Sequence, residues 1–270
     1  MSDLADHAFR RRLLQALIVV SREAGDAIMP FHRTGAEVIR KADDSPVTAA
    51  DHAAEAIILK ALARLTPGVP VVAEEEAAAG RAPQVKGTFF LVDPLDGTRD
   101  FIRGGKEFTV NIGLVEGLKP TLGVIYAPAF NRFYAGDATT GEAVMQDGAA
   151  PLRPIHTRQA PDDLTVLLSS TRTSAGTERY LSLIPVGERV RLGSSLKFGV
   201  LAAGQADFYP RPLPTMEWDT CAGEAILRAA GGRVLDIHGR DLPYGKPGFL
   251  NPGFVATTAY DPPPLAAFMN

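Results

Sequence analysis

The segment TFFLVDPLDGTRDF (88–101) constrains this chain more than any other. Its first five residues, TFFLV, read as a strand entering a packed core, yet the strand's exit gathers two aspartates, Asp93 and Asp96, around Pro94-Leu95. Buried carboxylates need a partner to offset their desolvation. Pro94 removes an N–H donor and biases Asp93 away from helical geometry, while Gly97 allows a backbone turn at positive φ, so the chain bends sharply here. Asp93 and Asp96 can converge at that bend with the Leu95 carbonyl, and three oxygen ligands of this kind suit a hard cation such as Mg²⁺. Gly97 and Thr98 then open a short helix, TRDFIR, whose free N–H groups and positive dipole end suit a phosphate. The competing explanation is a surface Asp-Gly turn closed by an Asx bond.

Other acids favour the first explanation. Glu74, Glu75 and Glu76 leave the apolar strand VPVVA (69–73) together and repel one another unless a cation or proton intervenes. Glu76 reads as a solvated residue, whereas Glu74 and Glu75 are candidates for the site. Asp51 stands three residues after Thr48, where T-A-A-D is also a capping box. In EWDT (217–220), Asp219 falls in the first turn of a helix, which favours an acid in any case, and Trp218 is expected to pack. In LGSSLKFG (192–199), Ser194 and Ser195 can cap a helix with Lys197 near its first turn, which reads either as an anion contact or as a capped surface helix. Arg211, in YPRP, is the basic residue close in sequence to Asp219.

At 270 residues and 46% hydrophobic content, the chain suits one large domain or two modest ones. Residues 3–29 read as a helix and a second begins near Thr48; strands follow at 69–73, 88–92, 108–115, 121–127 and 132–136, spaced as an antiparallel meander. The aperiodic, Ala- and Pro-rich stretch 147–163 divides an N-terminal half (1–150), which carries most of the acids, from a C-terminal half (151–270) with Asp219 and the basic residues. In the second half strands and helices alternate, with helices expected from about 174, from about 195 and over 219–230. A net charge of −3 supplies no basic field for a nucleic acid polymer or a membrane. The single cysteine, Cys221, excludes an internal disulfide and suits a reducing, cytoplasmic setting. Arg10–Arg12 before LLQALIVV (13–20) imitates a secretory signal, but the apolar residues continue at helical spacing and no small-residue cleavage site follows. No run approaches the ~18 apolar residues of a membrane span; weak attachment to the inner membrane's cytoplasmic side is permitted by the basic first helix.

Four blocks, SPVTAAD (45–51), VVAEEE (71–76), LVDPLDGTRDF (91–101) and EWDTCAGEAILRAAGG (217–232), together resemble the magnesium-dependent, lithium-sensitive phosphatases of the inositol monophosphatase superfamily. The stretches FTVNIGLVEG, LGVIYAPA, GSSLKFGVLAAGQADFYPR and FLNPGF narrow the resemblance to the bacterial 3′(2′),5′-bisphosphate nucleotidase branch, over nearly the whole chain. The resemblance implies an α/β fold layered αβαβα, of the sugar-phosphatase type, with the site between the halves. It implies that Glu74, Asp93 and the Leu95 carbonyl hold one Mg²⁺, that Asp93, Asp96 and Asp219 hold a second, and that Asp51 and Glu75 serve a third site's water. The expected reaction is hydrolysis of 3′-phosphoadenosine 5′-phosphate, and by extension of 3′-phosphoadenylyl sulfate, through in-line attack of metal-activated water. Thr98 and Glu75 orient that water, the Gly97 and Thr98 N–H groups hold phosphate, and Ser194, Ser195, Lys197, Arg211 and Asp219 are the remaining substrate contacts. A homodimer is permitted. Inositol phosphatases usually place an acid shortly before their Trp-Asp pair, where this chain offers Arg211, which suits a second phosphate better than a polyol. The alternatives are an inositol or histidinol phosphate monoesterase and, in another class, a non-catalytic module that binds metal or nucleotide.

Overall fold

After a 3₁₀ turn at Asp3–Ala5, helix α1 (His7–Thr34) buries Leu14, Leu17, Ala24 and Ile28 along one stripe. The computed structural model describes residues 3–34, 38–40, 46–170 and 174–269, so Ser45 of the SPVTAAD block lies outside the described residues. Helix α1 runs past the expected end at residue 29 and through Pro30. A proline forfeits one i→i−4 bond, but Met29 and Phe31 pack against the core on either side of it and carry the helix on. Strands β1 (Val38–Arg40) and β2 (Pro46–Thr48) form a small antiparallel ribbon that delivers Thr48 as the cap of α2 (Ala49–Leu65).

Next come β3 (Val71–Ala73), α3 (Glu74–Ala78), β4 (Thr88–Asp96), α4 (Thr98–Ile102), β5 (Thr109–Glu116), β6 (Lys119–Ala127), β7 (Arg132–Asp137), β8 (Glu142–Asp147) and β9 (Arg153–Pro154). The seven strands form one sheet in chain order. From β4 onward the pairing is the expected antiparallel meander, but β3 and β4 run parallel. The reason is the intervening segment: α3 and the loop after it carry the chain back before β4 begins, as parallel neighbours require. Strand β8 went unassigned in the sequence because only Ala143 and Met145 alternate inward.

The chain passes to a second sheet between Pro154 and Leu164. There β10 (Leu164–Ser169), α5 (Ala175–Leu181), β11 (Val186–Leu192), α6 (Leu196–Ala202), β12 (Phe208–Arg211), β13 (Thr215–Met216), α7 (Glu217–Ala229), β14 (Arg233–Asp236), β15 (Leu250–Asn251) and β16 (Phe254–Thr257) follow. The five-stranded order is β11-β10-β12-β16-β14, with β10 parallel to both neighbours and β16 antiparallel to both of its own; β13 and β15 pair separately. Helices α1 and α2 cover one face of the larger sheet through Phe90, Val92, Val110, Ile112 and Val124. Helices α6 and α7 fill the space between the two sheets, and α5 covers the outer face of the smaller one through Tyr180 and Leu181. The layering is therefore αβαβα, as the resemblance implied.

A row of glycines sets how closely α7 lies on the larger sheet. Gly113, Gly123 and Gly136 are register neighbours across β5, β6 and β7. A Cβ on Gly123 would collide with the Ala222 carbonyl oxygen, one on Gly113 would meet the Cys221 Sγ, and one on Gly136 would stand 3.0 Å from the Ile226 Cα. Only backbone without side chains admits a helix this close, and the helix it admits carries Asp219 at its start.

Candidate active site

Strand β4 ends in a β-bulge that decides the geometry of the acids. Asp93 pairs with Asn111 and Asp96 with Thr109, so two residues, Pro94 and Leu95, oppose the single Val110. In a regular strand residues three apart face opposite ways; the extra residue returns Asp96 to the face of Asp93. Pro94 fits there because it has no N–H to contribute to the ladder. Gly97 follows at φ +94°, where a Cβ would stand 2.8 Å from the Glu107 carbonyl oxygen, and caps α4. The Asp96-Gly97 pair is thus no plain surface hairpin, since it links the bulge to α4, and Asp93 before it is only 2% exposed. An Asx-type bond nonetheless forms, with the Leu95 N–H donating to Asp93 Oδ1 at 3.0 Å.

Glu74, Asp96, Gly97, Thr98, Ser194, Ser195, Lys197, Arg211 and Asp219 line one cavity of ≈ 360 Å³. Asp93 is buried behind that lining, within electrostatic reach of Glu74, Asp96 and Asp219. Burial, reinforced by Glu74, Asp96 and Asp219, holds the Asp93 carboxyl well above the usual carboxylate range, and burial with Asp96 and Glu74 does the same to Asp219. Among the described residues no three His, Cys, Asp or Glu side chains are gathered tightly enough to enclose an ion unaided. The acids form one wall of mutually repelling charges.

Polar contacts from distant segments fix that wall. The Ser195 N–H donates to Asp96 Oδ2 at 2.6 Å, and the Ser195 hydroxyl lies 2.8 Å from the same oxygen and 2.8 Å from the Asp219 carbonyl oxygen. Asn111 Nδ2 donates to that hydroxyl at 2.9 Å. Ser195 therefore ties β4 to α7 and makes no side-chain cap on α6, contrary to the capping expectation. Nor is α6 a surface helix: Lys197 is 4% exposed, and its ammonium donates to the Leu192 and Ser194 carbonyls at 3.0 and 2.6 Å. Burial pulls Lys197 down to about 8, Arg211 adding to the fall while Asp96 and Glu107 oppose it. The Arg211 Nε is buried with no hydrogen-bond partner among the described residues.

Asp51 serves two ends at once. Its Oδ2 accepts from the Thr48 N–H at 2.8 Å and hydroxyl at 2.7 Å, completing the capping box, while its Oδ1 lies 3.4 Å from the Thr98 hydroxyl. That hydroxyl also donates to the Leu95 carbonyl at 3.0 Å. Glu75 is buried and donates its N–H to Glu55 Oε2 at 2.9 Å, and burial, with Glu76 and Glu74 nearby, pushes Glu55 up to about 7. Glu76 faces solvent and pairs with Arg81 at 2.7 Å, as its solvated reading expected. Trp218 packs against Phe249, with ring centroids 6.2 Å apart. Sequence reading missed Asn111, Glu55 and Glu217; a buried Asn in the middle of the apolar strand β5 was the one local signal among them.

The family model for the inositol monophosphatase family matches residues 10–262. The 3′(2′),5′-bisphosphate nucleotidase CysQ of Salmonella typhimurium is 45% identical over 249 residues, covering 91% of this chain and 99% of that protein; its Escherichia coli K12 counterpart is 43% identical, covering 90% and 98%. Among solved structures, CysQ from Bacteroides thetaiotaomicron, described as a bacterial member of the inositol monophosphatase family, superposes with a TM-score of 0.77 at 33% identity, covering 92% of this chain and 98% of that one. Matches that run from the first helix to beyond the last strand, on a layered fold that brings Glu74, Asp96 and Asp219 to one cavity, place this chain in the inositol monophosphatase family.

Proposed function

We propose that this protein is a magnesium-dependent 3′(2′),5′-bisphosphate nucleotidase that hydrolyses 3′-phosphoadenosine 5′-phosphate to AMP and phosphate. The observation that carries this reading is a single cavity lined by both acids, Glu74, Asp96 and Asp219, and bases, Lys197 and Arg211. A substrate with two phosphates at separate positions matches that lining: the acids receive one phosphate with metal, and the basic groups receive the other directly. The high identity to proteins named as bisphosphate nucleotidases supports the same reading.

The donor set fits the ion. Carboxylates of Glu74, Asp93, Asp96 and Asp219 and the Leu95 carbonyl are all hard oxygens, and among the described residues no histidine or cysteine lines the cavity. Burial, and after it the like-charge repulsion of the neighbouring acids, raises the Asp93 and Asp219 carboxyls, and a divalent cation would offset both by favouring their ionised forms. Glu74, Asp93 and Leu95 would hold one ion and Asp93, Asp96 and Asp219 a second, with Asp51 and Glu75 serving a third site's water. Bound Mg²⁺ supplies neutralisation of the reacting phosphate and activation of water.

The chain's own groups do the rest. The Thr98 hydroxyl, held between Leu95 O and Asp51 Oδ1, orients the attacking water, and the Asp51 and Glu75 carboxylates draw on its proton. The N–H groups of Gly97 and Thr98 hold phosphate oxygens as negative charge gathers there. The water oxygen bonds to phosphorus in line with the departing 3′ oxygen, which takes up a proton; no covalent phosphoenzyme forms. Lys197 and Arg211 hold the second phosphate and so fix the direction of attack. Phosphate release from the adenosine bisphosphate and from inositol 1-phosphate, each with and without Mg²⁺, tests the reading. A strong Mg²⁺-dependent preference for the bisphosphate is expected; a preference for inositol 1-phosphate sinks the substrate assignment.

A further inference from the structure

Glu217 precedes Asp219 by two residues, does not line the cavity, and is fully buried, yet its carboxylate is not left as an orphan charge. Its Oε2 accepts the Gly245 N–H at 2.7 Å; its Oε1 accepts the Lys246 N–H at 2.9 Å and stands 2.6 Å from the Lys246 ammonium. All three donors come from one short strap, residues 244–251, that crosses the start of α7. The Lys246 ammonium continues to Asn251 Oδ1 at 2.9 Å, and Asn251 Nδ2 donates to the Met216 carbonyl at 3.2 Å and to Thr220 Oγ1 at 3.0 Å. The strap is shaped for this, turning at Gly245, Gly248 and Phe249 with φ of +82°, +72° and +55°, and it lays the Phe249 ring against Trp218.

The contacts close on the candidate metal ligand. Met216 makes no side-chain cap; its N–H donates to Asp219 Oδ2 at 2.9 Å. The strap thus grips the Met216 carbonyl through Asn251 and the Glu217 carboxylate through Gly245 and Lys246, and Met216, held at one end of that grip, is the residue whose N–H bonds the Asp219 carboxylate. We infer that Glu217 and Lys246 are positioning residues: their ion pair, buried at Glu217 and partly exposed at Lys246, locks the first turn of α7 so that Asp219 is presented to the metal in one orientation. This inference rests on the reading of Asp219 as a metal ligand. An ion pair kept for stability alone would contribute little beyond what apolar packing of the same volume achieves, whereas partners that orient a ligand act on metal affinity.

The test uses the full chain as Glu217→Gln, Lys246→Met, the double variant and Lys246→Arg, with Asp219→Asn as reference. Mg²⁺ binding is measured by titration calorimetry without substrate, alongside thermal unfolding and turnover at increasing Mg²⁺. Glu217→Gln and Lys246→Met are each expected to weaken Mg²⁺ binding by ~10–100-fold, as removal of a ligand's orienting partner does, and the double variant by no more than the worse single, because the two act as one pair. Saturating Mg²⁺ should restore most of kcat, and Lys246→Arg should bind Mg²⁺ nearly as the native chain does. Folded Glu217→Gln and Lys246→Met variants that melt earlier yet bind Mg²⁺ with native affinity overturn the inference. Should Glu217→Gln not fold, Lys246→Met decides alone, its side chain being 23% exposed and its removal less disruptive. If Asp219→Asn also binds Mg²⁺ as the native chain does, the metal-ligand reading itself has failed, a result distinguishable from failure of the strap alone.

Discussion

Asp93 stands where burial and three neighbouring acids oppose its ionisation, and that makes it the most telling single position. Replacing it with asparagine keeps the shape and the bond from Leu95 but removes the charge a cation needs. We expect Asp93→Asn to lower kcat by on the order of 10²–10³, comparable to removing a group that stabilises developing charge, while the metal-free chain melts at a higher temperature because like-charge repulsion is relieved. Phosphate release and thermal unfolding in chelator-treated buffer check the two halves; ordinary turnover in the variant would rule out the proposed site. The acids themselves were legible because a Pro and a Gly beside them announce a bend. What holds them was not: Ser195 reaches Asp96 across 99 residues, and Asn111 reaches Ser195 across 84. A serine beside a helix start reads locally as a cap, and only the fold shows that its hydroxyl is committed elsewhere.

Helix α7 carries both the proposed ligand and much of the middle layer, so changes along it separate stability from chemistry. Gly123→Ala forces a methyl group against the Ala222 carbonyl and should cost about 2–3 kcal/mol, the usual scale of overpacking; urea unfolding measures it, and a cost near zero would mean the helix can move away freely. Glu224, further along α7, is fully buried, and burial pushes it up to about 8 against an ordinary 4.5, with the Tyr244 hydroxyl 2.9 Å away opposing the rise. The folded state therefore holds a proton that the unfolded state has already lost between those values, so this residue's share of stability falls as pH rises from about 4.5 to about 8. Glu224→Gln should flatten that slope and leave the variant more stable than the native chain at pH ~9, by on the order of 5 kcal/mol at most. Unfolding free energies at acid and alkaline pH settle it; parallel slopes would show Glu224 ionising freely. Of the elements, the long periodic ones and the strand–helix alternation of the second half were readable, while β13, β15 and the parallel register of β3 with β4 depend on partners far along the chain.

At the scale of the whole molecule, the candidate ligands come from a helix of the first half, a strand end and a helix of the second half, so binding an ion joins segments that unfolding separates. Mg²⁺ should raise the unfolding free energy by ~2.7 kcal/mol at a hundredfold excess over its dissociation constant, and Asp219→Asn should lose most of that gain. Thermal unfolding across a Mg²⁺ series measures it, and a response unchanged by Asp219→Asn would place the ion elsewhere. Two sheets with α6 and α7 between them make this coupling possible, because α7 packs on the larger sheet while the strap that grips it belongs to the smaller sheet's connections. Among the described residues no helix is long and apolar enough to cross a membrane.

From the sequence alone came the residue types and their local bends: a buried strand leaving into Asp-Pro-Leu-Asp-Gly, a run of acids after another strand, capped helices, and the family these blocks resemble. Those are short-range matters, set by φ preferences, periodicity and charge within a few positions. The tertiary structure alone decided that the bulge turns Asp96 to the side of Asp93, that a glycine row seats α7 close enough to bring Asp219 to them, and that Glu217 is clamped from 28 residues away. Side-chain direction and like-charge proximity depend on what packs opposite, and no local pattern in a chain encodes its distant neighbour.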